Sequence, residues 1–214
     1  MKQVAYLVPA PDMDERSINA FQFDDWDIVP LSLAPIERHT DLQSYIRSLS
    51  AQIHRPRPIL IGACYGGPLA IELSKVIEAE KVIVIACVKS RQELTLFWKI
   101  LFHVYQPLPH WVEKWIGVSL AFVINKILRI PVKVPRIWRK SEQNRFIAKH
   151  LLHLEGNPNI KRLIHIHGKR DRTFPIKTIK NVDIVVEANH FMIDTNRRDT
   201  LNAVAAALKS ERMS

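Results

Sequence analysis

Pro58-Ile-Leu-Ile-Gly-Ala-Cys-Tyr-Gly-Gly-Pro-Leu-Ala-Ile-Glu-Leu73 passes from a short apolar run, through a cysteine flanked by glycines, into apolar residues at helical spacing (Leu69, Ile71, Leu73 and Val76). A strand that turns at once into a helix through Gly62-Ala63-Cys64-Tyr65-Gly66 needs its glycines, because a Cβ there would strike strand or helix. Such a turn exposes the central side chain, Cys64, at the carboxyl edge of a sheet. The N–H groups and positive dipole end of the following helix favour a thiolate there. A small buried cysteine in a tight turn is the plainer alternative, and the rest of the chain decides between the two.

The chain has 214 residues, enough for one domain with a sizeable core and an inserted subdomain. Its 47% hydrophobic and 24% charged residues are ordinary for a soluble globular protein. Cys64 and Cys87 make no disulfide framework, and Cys87 ends the run Val82-Ile-Val-Ile-Ala-Cys as a core thiol. The amino-terminal apolar run is too short for a signal peptide. The stretch from Trp115 to Ile124 is about half of what a bilayer crossing needs. These features predict a soluble, cytoplasmic protein. The formal charge of +10 is scattered along the chain with no nucleic-acid-binding motif, so a solvated basic surface is expected and nucleic acid is not.

In order, Val4–Val8 reads as a first strand, ending in Pro9-Ala-Pro-Asp-Met-Asp, whose aspartates can cap a helix to about Gln22. Strand Asp27–Leu31, helix Asp41–Ile53, the Cys64 strand, a helix to about Glu80 and strand Lys81–Cys87 follow. This alternation predicts an α/β fold with a doubly wound, mainly parallel sheet, which binds ligands at the carboxyl ends of its strands.

From Ser90 to about Gly156 the alternation stops, and large apolar residues recur at helical spacing between prolines. A helical cap (residues 90–156) over a core built from 1–89 and 157–214 is the expected organisation; helices packed away from the site are the alternative. Trp98, Phe102, Trp111 and Met192 are candidates to line a pocket, against plain core roles. Strands then resume at Leu163–His167 and Val182–Glu187, with a final helix from about Arg197 to Lys209.

Cys64, Asp171 and His190 each follow a different strand. Nucleophile, acid and histidine in that chain order could form a triad: Cys64 attacks an acyl carbon, His190 carries the proton and Asp171 orients the imidazole. The plainer alternatives are an Asp171 paired with Arg170 or Arg172 and a structural His190. His165 and His167 face one side of their strand, as packing or surface positions. His103, His110, His150 and His153 lack metal-ligand spacing, so neither a metal nor a cofactor is expected.

Ile61-Gly-Ala-Cys-Tyr-Gly-Gly, Ile166-His-Gly-Lys-Arg-Asp-Arg-Thr-Phe-Pro and Ala188-Asn-His-Phe-Met resemble the three signature regions of the α/β-hydrolase superfamily, most closely its small, capped bacterial members. The resemblance spans most of the chain and is weakest in the insertion. It implies a sheet of the α/β-hydrolase type with a helical cap, a nucleophile elbow at Cys64, and catalysis by Cys64, His190 and Asp171. Relatives usually carry serine at the elbow; cysteine occurs in dienelactone hydrolases and polyester synthases. A thioester intermediate suits both hydrolysis and acyl transfer on a small apolar ester or thioester.

The resemblance also implies an oxyanion hole with the Tyr65 N–H as one donor. The second aligns with Pro11, which has no N–H, or one residue later with Asp12. A pseudoenzyme that binds a small hydrophobic ligand or a partner in the same pocket is therefore the alternative function. A basic protein docking on anionic membranes through cap helices is a third reading.

Overall fold

The computed structural model describes residues 2–37, 39–106, 141–157, 160 and 162–210. Among these residues six strands form one wholly parallel sheet: β1 (Gln3–Val8), β2 (Trp26–Pro30), β3 (Ile59–Ala63), β4 (Lys81–Ile85), β5 (Leu163–Gly168) and β6 (Ile184–Val186), in the order β2-β1-β3-β4-β5-β6. The expected α/β class and parallel sheet are what the chain adopts, with β3 inside the sheet between β1 and β4.

β3 and β4 are buried at every position, which is why they read as unbroken apolar runs. Successive side chains feed two layers. Tyr6, Val8, Leu60, Val82 and Val84 pack on one face with Tyr45, Ile46 and Leu49 of α2 (Leu42–Ser50) and Leu69 and Leu73 of α3 (Gly66–Val76). Ala5, Leu7, Ile61, Ile83, Ile85 and Ile166 pack on the other with Ala203, Val204 and Ala207 of the last helix (Arg197–Lys209).

Helix starts follow local chemistry. Asp14 caps α1 (Glu15–Ile18) by accepting the Ser17 N–H at 2.8 Å, and Asp41 caps α2 from the Ser44 N–H at 2.9 Å. Helix α1 ends four residues before the expected Gln22, because the chain turns at Asn19 to bury Phe21 against the sheet. Helix α3 stops at Val76, where Ile77 turns extended and the Glu80 N–H reaches the Pro58 carbonyl to begin β4.

Between β4 and β5 the described part of the insertion holds a 3-10 turn (Arg91–Glu93), α4 (Leu96–Tyr105) and α5 (Ser141–Leu152). Both helices touch the core: Trp98 of α4 donates its indole N–H to the Thr173 carbonyl at 2.7 Å, and Phe146 of α5 stacks on Tyr45. Beyond β6 come α6 (Met192–Thr195) and α7 (Arg197–Lys209). Among the described residues no helix is long and apolar enough to cross a membrane.

Candidate active site

Cys64 sits between β3 and α3 with φ +49°, a left-handed conformation that is strained for a side-chain-bearing residue. Its N–H is tied to the Ile85 carbonyl at 2.9 Å, and its carbonyl accepts the Gly67 N–H at 3.0 Å. The three glycines allow this turn by leaving room for backbone. A Cβ on Gly62 would lie 2.5 Å from the Gly66 carbonyl oxygen, one on Gly66 2.0 Å from that of Val8, and one on Gly67 2.4 Å from the Cys87 sulfur. Cys87 is fully buried, as its sequence context implied, and burial pushes its thiol well up.

Gly168 has the same function at the next strand end. A Cβ there would meet the Ala188 and Asn189 carbonyl oxygens at 2.7 and 2.8 Å, so only glycine lets the β6 loop pass this close to β5. Backbone bonds from Lys169 to Val186 (2.8 Å) and from Arg170 to Ala188 (2.9 Å) fasten the crossing. This juxtaposition brings His190 beside Asp171.

The three side chains form one chain of contacts. Cys64 Sγ lies 3.2 Å from His190 Nε2, and His190 Nδ1 lies 2.8 Å from Asp171 Oδ2. The other Asp171 oxygen accepts the Thr173 and Phe174 N–H groups, both at 2.8 Å. Asp171 is buried and pairs with neither adjacent arginine; Arg170 instead donates to the Glu187 carbonyl at 2.7 Å. Burial opposes a charged His190, but the Cys64 charge, the hydrogen bonds to Asp171 and Cys64 and the Asp171 charge outweigh it, raising its pKa to about 10. At neutral pH this imidazole is held in its charged form, facing sulfur on one side and carboxylate on the other.

Tyr65 is the N-cap residue just before α3, where no side-chain cap competes for the first N–H groups. Among the described residues the Tyr65 N–H donates no hydrogen bond. Pro11 occupies the second position of a turn closed by the Met13 N–H on the Ala10 carbonyl (3.0 Å), a position that suits its fixed φ; Asp12 follows at the third.

Trp98 stacks on Phe102 and on Phe174, and Phe174 meets the His190 ring edge-on at 5.4 Å. Phe174 thus touches the histidine directly, Trp98 stands one ring away and Phe102 two. Met192 is fully enclosed with Ala203, Val204 and Ala207 on the opposite face of the sheet, which is the core role weighed against ligand contact. Trp111 lies outside the described residues.

His165 and His167 do share a face, but neither is at the surface: both are completely buried and hydrogen-bonded to each other at 3.2 Å. Lys89 and Glu93 join them from the segment after β4. The sequence signal for this cluster was the His-x-His alternation inside an otherwise apolar strand; nothing local pointed to Lys89. Among the described residues no group of three or more His, Cys, Asp or Glu side chains could hold a metal ion.

No family model matches this chain, and no curated protein does. Solved structures do. An esterase from Exiguobacterium antarcticum superposes with a TM-score of 0.66 at 15% identity, over 97% of this chain and 92% of that one. An α/β hydrolase enzyme from a Medee basin deep-sea metagenome library gives 0.65 at 12% identity, over 100% and 91%. A bromoperoxidase from Bacillus anthracis gives 0.61 at 14%, over 98% and 93%. The chain has the α/β-hydrolase fold.

Proposed function

We propose that the protein is a thiol-dependent acyl hydrolase or acyltransferase acting on a small apolar ester or thioester. The observation that supports this reading most is the continuous contact from Cys64 Sγ through His190 to Asp171, at 3.2 and 2.8 Å. The esterases and lipases among the proteins of like fold support it further.

In this reading Cys64 attacks the acyl carbon as thiolate, paired with the His190 imidazolium. The carbonyl π electrons move onto oxygen, where the Tyr65 N–H and the Asp12 N–H donate to the oxyanion, since Pro11 has none to give. Collapse expels the alkoxide or thiolate, which takes the His190 proton and leaves an acyl group on Cys64 as a thioester. Water or an acceptor alcohol, deprotonated by neutral His190, then attacks that thioester and releases Cys64. Asp171 fixes the imidazole with Nδ1–H toward itself and stabilises its charge. The apolar acyl part would lie against Trp98 and Phe102. Residues 90–156 act as the cap over a core of 1–89 and 157–214. The chemistry calls for no cofactor.

Pro11 favours one competing account, a pocket that binds a hydrophobic ligand without turning it over. Mass spectrometry after exposure to short-chain p-nitrophenyl esters separates the two. The expected result is an acyl adduct on Cys64 that turns over in the wild type, disappears in Cys64→Ala, and forms about 10²–10⁴-fold more slowly in His190→Ala. A Cys64 that acylates no faster than an ordinary exposed thiol, with or without His190, leaves the binding account.

A further inference from the structure

Behind Asp171 lies a buried polar chain that the acyl chemistry above does not use. The Lys89 ammonium donates to His165 Nδ1 and to the Lys180 carbonyl, each at 2.6 Å, and pairs with Glu93 at 3.1 Å. Glu93 is itself buried and accepts the backbone N–H groups of Lys89 (2.7 Å) and Lys180 (3.0 Å). His165 Nε2 faces His167 Nδ1 at 3.2 Å. His167 Nε2 faces the Phe174 carbonyl at 2.8 Å and Asp171 Oδ2 at 3.5 Å.

An ammonium can only donate, so His165 must accept at Nδ1 and carry its proton on Nε2. That proton can go only to His167 Nδ1, which puts the His167 proton on Nε2, aimed at the Phe174 carbonyl and the Asp171 carboxylate. Each tautomer follows from the one before, and the two ends agree: the Lys89 ammonium can only donate and the Phe174 carbonyl can only accept. Phe174 closes the loop, since its own N–H is one of the two that fix Asp171 Oδ1. Both rings are neutral in the folded state: burial, with the nearby Lys89 and His167 charges, pushes His165 down to about 2, and burial also lowers His167.

We propose, resting on the reading of Cys64, His190 and Asp171 given above, that Lys89, His165 and His167 are positioning residues: a one-way chain of hydrogen bonds from a buried ion pair that holds Asp171 in register with His190. The titratable and charged groups around this chain are Lys89 and Glu93 after β4, Asp183 (whose carboxylate accepts the His165 backbone N–H), Cys87, Asp171, His190 and Cys64.

Without Lys89 only the acceptors at the far end, the Phe174 carbonyl and the Asp171 carboxylate, still favour this direction, and the reversed tautomers become accessible. A reversed His167 presents a bare Nε2 lone pair to the Phe174 carbonyl and to Asp171. The turn from 171 to 174 is then pushed off, and the imidazolium of His190 loses support. A direct through-space effect has the opposite sign, because deleting a positive charge raises the proton affinity of a nearby base.

The test is NMR of the full-length, ¹⁵N-labelled protein, reading the tautomers of His165 and His167 and titrating His190 in wild type, Lys89→Met and Lys89→Arg. Expected are Nε2–H forms for both rings in the wild type, a His190 midpoint lower by about one pH unit in Lys89→Met, and recovery in Lys89→Arg. A Nδ1–H form of either ring in the wild type overturns the proposal even if Lys89→Met does not fold. An unchanged or raised midpoint in a folded Lys89→Met overturns it as well. No acyl substrate enters this measurement. Ester turnover can therefore fail while the positioning chain stands, and the chain can fail while turnover stands.

Discussion

A methyl group added at Gly66 would lie 2.0 Å from the Val8 carbonyl oxygen and 2.9 Å from that of Pro9. Neither atom can move without shifting the end of β1, which carries the Pro11–Asp12 loop. Gly66→Ala is therefore expected to cost at least the ~1–3 kcal/mol of an overpacked core, and to lower Cys64 alkylation by displacing the elbow. Urea denaturation together with the iodoacetamide rate checks both effects; a variant of unchanged stability would show that the β1 loop gives way freely. Gly62, Gly66 and Gly67 were legible in the sequence because glycine is the one residue whose absent side chain carries the message. Lys89 was not, because its meaning lies in a ring 76 positions further along the chain.

Helix α5 is joined to the elbow through one buried polar contact. The Tyr65 hydroxyl lies 2.7 Å from His150 Nδ1, and both side chains are nearly inaccessible. Among the described residues the far nitrogen, His150 Nε2, has no hydrogen-bond partner; the Glu72 carboxylate at 3.8 Å offers only charge. Tyr65→Phe would strand the second nitrogen too, at a cost of about 1–3 kcal/mol. Adding His150→Leu should recover most of that loss, because removing both partners of a buried pair is far cheaper than removing one. A double variant no more stable than Tyr65→Phe would mean that the pair contributes nothing beyond its packing. At this scale the sequence predicted that helices fill the insertion, while the particular contact between α5 and the residue after Cys64 depended on packing.

Across the whole molecule two histidines pull stability in opposite directions with pH. His165 is neutral when folded, with its pKa down to about 2, but takes a proton in the unfolded chain below 6.5. The unfolded state then binds more protons, so stability is lost as pH falls from 6.5 toward 2. His190, raised to about 10, keeps a proton that the unfolded chain releases above 6.5, so its contribution is complete below 6.5 and is lost as pH rises toward 10. The combined expectation is a stability maximum near pH 6.5. Urea midpoints from about pH 3 to 10 would trace it, with His165→Gln flattening the acid limb and His190→Gln the alkaline one. A stability that climbs steadily through pH 9 would contradict the charged His190.

The sequence by itself determined the parallel α/β sheet, because buried central strands must be continuously apolar and the helices between them must show one apolar stripe. It also determined the turn at Cys64, since glycines at fixed offsets leave few other backbones possible. Only the tertiary structure decided that Asp171 meets His190 rather than its neighbouring arginines, that Met192 is core, and that His165 and His167 connect Lys89 to the site. Those outcomes depend on which strand ends lie side by side, and long-range adjacency leaves no local periodicity to read.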